Sequence, residues 1–343
     1  MAKFLAIVWM IPMHCLFVSW GFPNDISIFM QRVIAQFLGC PFSAPVFMSA
    51  MGIGFVYSRN QDPTYMIRRG VKTMLLGLVV NVGEFILPHY LAGKLLGEWD
   101  IFPIAGGLLL FCVDILAFAG MSMICIGLFK KWKLSAKQIL VIAVIFSLIG
   151  WALRFHDFGS DVPNLIAGYF IGSAGGFTAF PLFTWFIFPA AGLLFGEYYI
   201  RCTDKKKLLR FWPLALAVSV AYFVTSWYIP DGFLSAIHLY YFMTTIDAAF
   251  CLVCVYGSIG LSRVTSDLLS DSVIEFIKKT SVDLNAIYII QWYIIPLTYI
   301  FICYFNRDIV FGDLSLVVIA IAELAASIAL AAVYKNARKS QER

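Results

Sequence analysis

Long runs of apolar side chains alternate with short polar stretches along the whole chain. Crossing a bilayer takes about 20 apolar residues in a helix. Runs long enough for this fall at about 4–21, 30–57, 71–90, 103–129, 137–153, 181–200, 211–229, 237–261, 284–304 and 314–334. The pattern predicts ten membrane-spanning helices, the second and fourth long enough to tilt or to extend beyond the membrane. Pro41 and Pro45 fall near the middle of the second run and predict a break there. A further apolar stretch, "SDVPNLIAGYFIGSAGGFTAF" at 160–180, is rich in glycine. We expect it to be re-entrant or to lie at the outer surface. Non-helical backbone at membrane depth survives only where protein or a water-filled cavity surrounds it, so "GSAGGF" beside the "FPLF" turn points to a cavity wall or to close helix packing. Between the eighth and ninth runs, "VIEFIKK" keeps its apolar residues on one side and predicts a short amphipathic helix. The fold class expected is an all-α polytopic membrane protein, built as a single transmembrane domain over residues 1–343.

Composition agrees: 61% of residues are hydrophobic and 13% charged, against about 25% charged in soluble domains. Charge then sets the orientation. With ten crossings and a cytoplasmic N-terminus, nearly all of the 25 lysines and arginines fall in cytoplasmic segments. A full crossing at 160–180 would invert every later loop and destroy that pattern. Both termini are therefore expected in the cytoplasm. The first run is not read as a cleaved signal, because it is longer than a typical signal core, carries His14 and lacks a small-x-small site. No GxxxxGK[ST] stretch and no long basic tail occur, which argues against nucleotide-driven pumping and nucleic-acid binding. Eight cysteines are scattered through apolar runs, and the Cys251/Cys254 pair lies inside the eighth. These read as packing residues, and no metal is expected.

Few polar side chains fall well inside the runs. They are His14, Asn81, Glu84, Asp114, Glu197, His238, Asp247, Gln291 and Glu323. For Asp247, Gln291 and Glu323 we expect helix–helix hydrogen bonds, and for Glu197 a pair with Arg201 one turn on. His14 stands apart. It follows Lys3 by eleven residues, roughly 16 Å along a helix, or about half the bilayer core. A titratable ring at that depth is costly and functional by default, and the broken second helix follows it. We expect His14 to be catalytic.

The spacing from Lys3 to His14 resembles the basic-x10-His motif on the first helix of the membrane acyltransferases of acyltransferase family three. "PVFMSAMGIGFVYSR" is similar to that family's second helix, and "MIRRGVKTMLLGLVVNVGEF" to the basic turn and third helix after it. "VDILAFAGMSMICIGLFKK" and "GGFTAFPLFTWFIFPAAGLLFGE" resemble the related heparan-α-glucosaminide N-acetyltransferase branch. "TSVDLNAIYIIQW" is similar to the late helix of these proteins, with Gln291 where many members have histidine. The resemblance implies transfer of an acetyl or other acyl group from cytoplasmic acetyl-CoA to an acceptor across the membrane. The acceptor would be a sugar, glycan or glycolipid, and a homodimer is allowed.

The chemistry then assigns roles. A thioester needs a base for the acceptor, or a nucleophile that takes the acyl group first, and a neutral imidazole can do either. Glu84 and Asp114 are the carboxylates that could fix the His14 tautomer. Lys3, Arg68, Arg69 and Lys72 are candidates for the donor's phosphates, with Lys205, Lys206 and Lys207 a further choice. The rival reading is a proton-coupled secondary transporter using Glu84, Asp114 and Asp247, against which the two halves show no repeated pair of interrupted helices. A third reading keeps the fold without catalysis. The short loops and the start close to Lys3 suggest a bacterial plasma membrane.

Overall fold

A computed structural model describes residues 1–102, 105–172, 178–228 and 237–341, without the side chains of 105–107, 226, 237, 238, 339 and 341. The His238 side chain and residues 173–177 of the "GSAGGF" stretch thus lie outside the described residues. Of the described residues, 79% are helical. Among the described residues, eight helical stretches are long and apolar enough to cross a membrane. Two other expected runs give shorter helices, Ile115–Lys131 of 17 residues and Ile187–Arg201 of 15 residues.

The first helix, α1 (Ala2–Ser19), is continuous through Pro12. The second run breaks as its prolines predict. A π-helical segment (Arg32–Gly39) and a single turn (Cys40–Phe42) lead to Ser43, whose φ −97° and ψ −87° leave the helical region before α2 (Ala44–Val56) begins. The third run starts sharply at α3 (Pro63–Asn81), where the Asp62 carboxylate accepts from the amides of Thr64 and Tyr65 and Pro63 takes the first turn. It then widens into a π-turn, Val82–Ile86, before α4 (Leu87–Leu96). Pro88 has no N–H to offer the Glu84 carbonyl, and its ring crowds that carbonyl. Glu84 consequently sits inside the widened turn.

The fourth run departs from expectation. Residues 103–129 are not one long helix. A 3-10 segment (Ala105–Phe111) gives way to irregular chain at Cys112 and Val113, and α5 (Ile115–Lys131) starts at Asp114. The backbone groups freed by the break are taken up elsewhere, as a buried backbone requires. The Asn81 amide donates to the carbonyls of Leu110 and Cys112, both at 2.8 Å. Val113 pairs with Thr178, and its carbonyl accepts from the amides of Ala179 and Phe180.

The stretch at 160–180 contributes a helix of eight residues, α7 (Asp161–Gly168), too short to cross a bilayer. It is preceded by α6 (Ala136–Leu153), and its continuation returns at Thr178 beside the break before Asp114. The remaining long helices are α8 (Ile187–Arg201), α9 (Trp212–Ser226), α10 (Thr245–Ser266), α12 (Leu284–Phe305) and α13 (Asp313–Gln341). The eighth run also divides: a short turn at Ile237–Tyr241 precedes α10, because Thr244 and Asp247 form a capping box that starts a new helix. Between α10 and α12 lies the expected amphipathic helix, α11 (Asp271–Val282), with Phe276 edge-on against Phe4 of α1.

Small residues allow the closest approaches. A Cβ on Gly70 of α3 would stand 2.7 Å from the Gly120 carbonyl of α5, and one on Gly192 of α8 would collide with the Ser49 carbonyl of α2. The main buried apolar cluster runs from Ile7 to Ala331, and a small one joins Ala6, Val46 and Val255. At one end of the bundle, Asn24–Asp25 (β1) pairs in parallel with Phe311–Gly312 (β2), and Ser27 bonds the Asp313 carboxylate through both its amide and its hydroxyl. At the other end Lys335 meets Asp283 at 2.8 Å.

Candidate active site

Eleven residues are close to three turns of a helix, so Lys3 and His14 project from the same face of α1. The lower part of that face opens on a cavity of about 230 Å³, lined by Lys3, Arg69, Thr73 and Asn285 among apolar residues of α2 and α5. Arg69 and Thr73 are one turn apart on α3, and both point into it. Arg68 and Lys72 lie on the adjoining exposed face of α3 and are not part of its lining. Of the four cations expected at a donor site, two therefore meet in one space. Pockets that hold a drug-sized ligand run to roughly 300–1,000 Å³, so this one is small for an entire coenzyme.

The cavity's far end approaches a second cluster. Asn285 lies one turn before Tyr288 on α12, about 4.5 Å along the axis, and Leu116 of the lining follows Asp114 by two residues. Tyr288 donates its hydroxyl to the Asp114 carboxylate at 2.5 Å. Its ring stands edge-on to His14 with centroids 6.1 Å apart, and Trp292, one turn further, stacks on the imidazole at 4.1 Å and 28°. His14 is 6% exposed, and its Nδ1 has no hydrogen-bond partner among the described residues. The imidazole is thus oriented by aromatic faces, and Asp114 reaches it through Tyr288 rather than directly. Glu84 is close enough for its carboxyl group to interact with that of Asp114, and its Oε2 is buried without a partner among the described residues. Asp114 sits at the N-terminus of α5, where the helix dipole favours negative charge. Its side chain makes no capping bond.

Of the other polar residues expected inside the spans, Asp247, Glu197 and Asn81 are tied into the scaffold, while Glu323 Oε2 and Gln291 Oε1 are buried with no partner among the described residues. Asp247 accepts from Tyr222 and from the amide and hydroxyl of Thr244. Glu323 accepts from Thr298. Gln291 is fully buried, with its amide against the Met10 sulfur at 3.9 Å. Glu197 pairs with Arg201 at 3.9 Å. Asn81 fastens the break that presents Asp114. At the opposite end from Lys3, His89 holds the Phe102 carbonyl at 2.6 Å and packs edge-on with Trp99.

Sequence reasoning singled out neither Tyr288 nor Trp292. Their signal was present: positions 288, 291 and 292 share one face of a helix, and each carries a polar atom within an apolar run. An oriented imidazole with a free ring nitrogen, above a cavity that holds two cations, can receive a proton from an incoming hydroxyl or amine. It can equally attack an activated carbonyl delivered from the cavity.

A family model described as "Heparan-alpha-glucosaminide N-acetyltransferase, catalytic" matches residues 1–230. This span contains His14, both cavity cations, Glu84 and Asp114, and ends before Tyr288 and Trp292. No curated protein and no solved structure matches the chain.

Proposed function

The chain belongs to the heparan-α-glucosaminide N-acetyltransferase family, and from that premise we propose that this membrane acetyltransferase takes its acetyl group from acetyl-CoA at the Lys3 side and delivers it to a sugar or glycan acceptor reaching His14 from the other side. Lys3 and Arg69 would neutralise phosphates of the donor, while its thioester arm enters the cavity between α2, α3 and α5. His14 accepts the proton of the acceptor's O–H or N–H as the acceptor attacks the thioester carbonyl. The C–S bond breaks, and the thiolate takes the proton from the imidazolium. In a two-step form, His14 carries the acetyl group between donor and acceptor. Asp114 acts as a positioning residue through Tyr288, and Glu84 lies beside it. Nearly all positive charge then faces the cytoplasm, with both termini, as expected of a multi-pass protein of a bacterial plasma membrane.

One observation carries this reading: Lys3 and Arg69 line one cavity on the face of α1 that bears His14. Acetyl-CoA binding to the folded protein must raise its apparent stability, by about 2.7 kcal/mol at 100 times Kd. The test is thermal unfolding of the detergent-purified protein with and without acetyl-CoA. The expected result is a rise in Tm that shrinks in Arg69→Ala and Lys3→Ala. No rise in the wild type at millimolar acetyl-CoA would overturn the proposal.

A further inference from the structure

The ring stacked on the His14 imidazole carries a polar atom of its own. Trp292 is 6% exposed, and its Nε1–H makes no hydrogen bond among the described residues. A buried N–H left unpaired is costly, and phenylalanine would supply a stacking ring without it. The N–H also has a direction. Helical side chains lean toward the N-terminus of their helix, which for α12 is the end at Leu284. The Trp292 N–H accordingly lies close enough to the Tyr288 hydroxyl, one turn back, to interact with it, although outside hydrogen-bond geometry. Asn285, a further turn back on the same stripe, lines the cavity that holds Lys3 and Arg69. The unpaired N–H is thus turned to the side from which a thioester would arrive. His14, with its centroid 4.1 Å from the Trp292 ring, brings a second unpaired nitrogen, Nδ1, to the same place.

We infer, on the acetyl-transfer reading, that Trp292 is a further catalytic residue whose Nε1–H donates to the carbonyl oxygen of the acetyl thioester as that oxygen becomes an oxyanion. As the acceptor adds to the thioester carbon, a C–O or C–N bond forms, the acceptor's proton passes to His14, and the π pair of the carbonyl moves onto its oxygen. That negative charge develops about 16 Å along α1 from Lys3, too deep for the cavity cations to meet it. When the intermediate collapses, the C=O bond re-forms, the C–S bond breaks, and the thiolate takes the proton from the imidazolium. Trp292 keeps its own proton throughout. If His14 attacks first, the same oxyanion forms. Each hydrogen bond spans about 3 Å, so one tetrahedral carbon can bridge the two nitrogens of the stacked rings, its attacking atom toward His14 and its oxyanion toward Trp292. The Tyr288 hydroxyl cannot serve instead without leaving Asp114, to which it donates. A fixed donor in a water-excluded site is worth about 10²–10³-fold in rate.

The test follows release of the CoA thiol from acetyl-CoA, with a terminal α-glucosaminide, the acceptor in the family's description, as the probe. Wild type is compared with Trp292→Phe, which keeps a ring for stacking, and with benzothienylalanine at position 292, which keeps the bicyclic shape and replaces only the N–H by sulfur. In both variants kcat should fall by about 10²–10³-fold, with KM for acetyl-CoA within about twofold and Tm no lower than in the wild type. A kcat within about threefold of wild type in the benzothienyl variant would overturn the inference, and a His14→Ala variant that is inactive beside it would leave the acetyl-transfer reading standing. A fall in kcat matched by a lower Tm in both variants would also overturn it, since Trp292 would then serve only to pack the imidazole. A wild type that releases no thiol and gains no Tm from acetyl-CoA would overturn the acetyl-transfer reading itself, and this role with it.

Discussion

Asp114 and Asp247 are both buried aspartates at the start of a helix, and each accepts a hydrogen bond from a tyrosine hydroxyl of another helix, Tyr288 and Tyr222. Asp247 is also the third residue of a capping box and receives the amide and hydroxyl of Thr244. Asp114 occupies the cap position itself, yet its side chain makes no capping bond. The Asp247 carboxylate is consumed by folding. The Asp114 carboxylate takes the Ile115 amide and the hydroxyl of Tyr288, whose ring packs against His14. On the proposed reading, the same residue in the same setting becomes scaffold or machinery according to how many of its acceptor positions the local backbone takes. The carboxylate that a transporter reading would have used at position 247 is on the scaffold side of this divide.

The sharpest way to break the contrast is to remove the group that the Asp114 arrangement serves. His14→Ala should lower acetyl transfer by about 10²–10⁴-fold, the usual worth of a general base, with Tm little changed. Full activity in that variant would end the mechanism. Asp114→Asn and Tyr288→Phe should each slow turnover by about 10- to 100-fold, since a hydrogen bond to a charged group is worth about 1.5–3 kcal/mol. Steady-state rates with saturating acetyl-CoA measure this. Arg69→Ala should raise KM for acetyl-CoA roughly tenfold, a loss of about 1.4 kcal/mol. Arg68→Ala, outside the cavity, should leave KM within about twofold. Asp247→Ala should do the reverse of Asp114→Asn, costing about 1–2 kcal/mol of stability for the lost cap and leaving KM unchanged in melting and kinetic assays run side by side.

The smallest effect lies outside the membrane. The Asn164 side chain and the Gly159 amide hold the Asp157 carboxylate below the ordinary aspartate range. A carboxylate with a depressed folded-state pKa stabilises above its unfolded value and loses that contribution as pH falls through the folded one. The protection of α7 amides against hydrogen exchange, corrected for the intrinsic rate at each pH, should therefore be constant near neutrality and fall in acid. Asn164→Ala should move that fall to higher pH.

Much of this protein was legible in the order of its residues. Apolar runs of fixed length and the placement of basic residues predicted an all-α polytopic membrane protein. Pro41 and Pro45 predicted the broken second helix, because proline removes a donor that the helix needs. Lys3 and His14 were legible as a pair, since eleven residues return to the same helix face whatever surrounds them. The break before Asp114 was not legible. It depends on the Asn81 amide, 31 residues away from Cys112, and on chain returning at Thr178 to satisfy the freed backbone. Nor could the sequence say that Arg69, rather than Arg68 or Lys72, would share a cavity with Lys3. Three neighbouring cations look alike until the packing of α3 on α5 places one of them along the cavity wall. The partners of His14 were hidden for the same reason. Tyr288 and Trp292 lie more than 270 positions away, and only the packing of the first long helix against the penultimate one brings their rings to the imidazole.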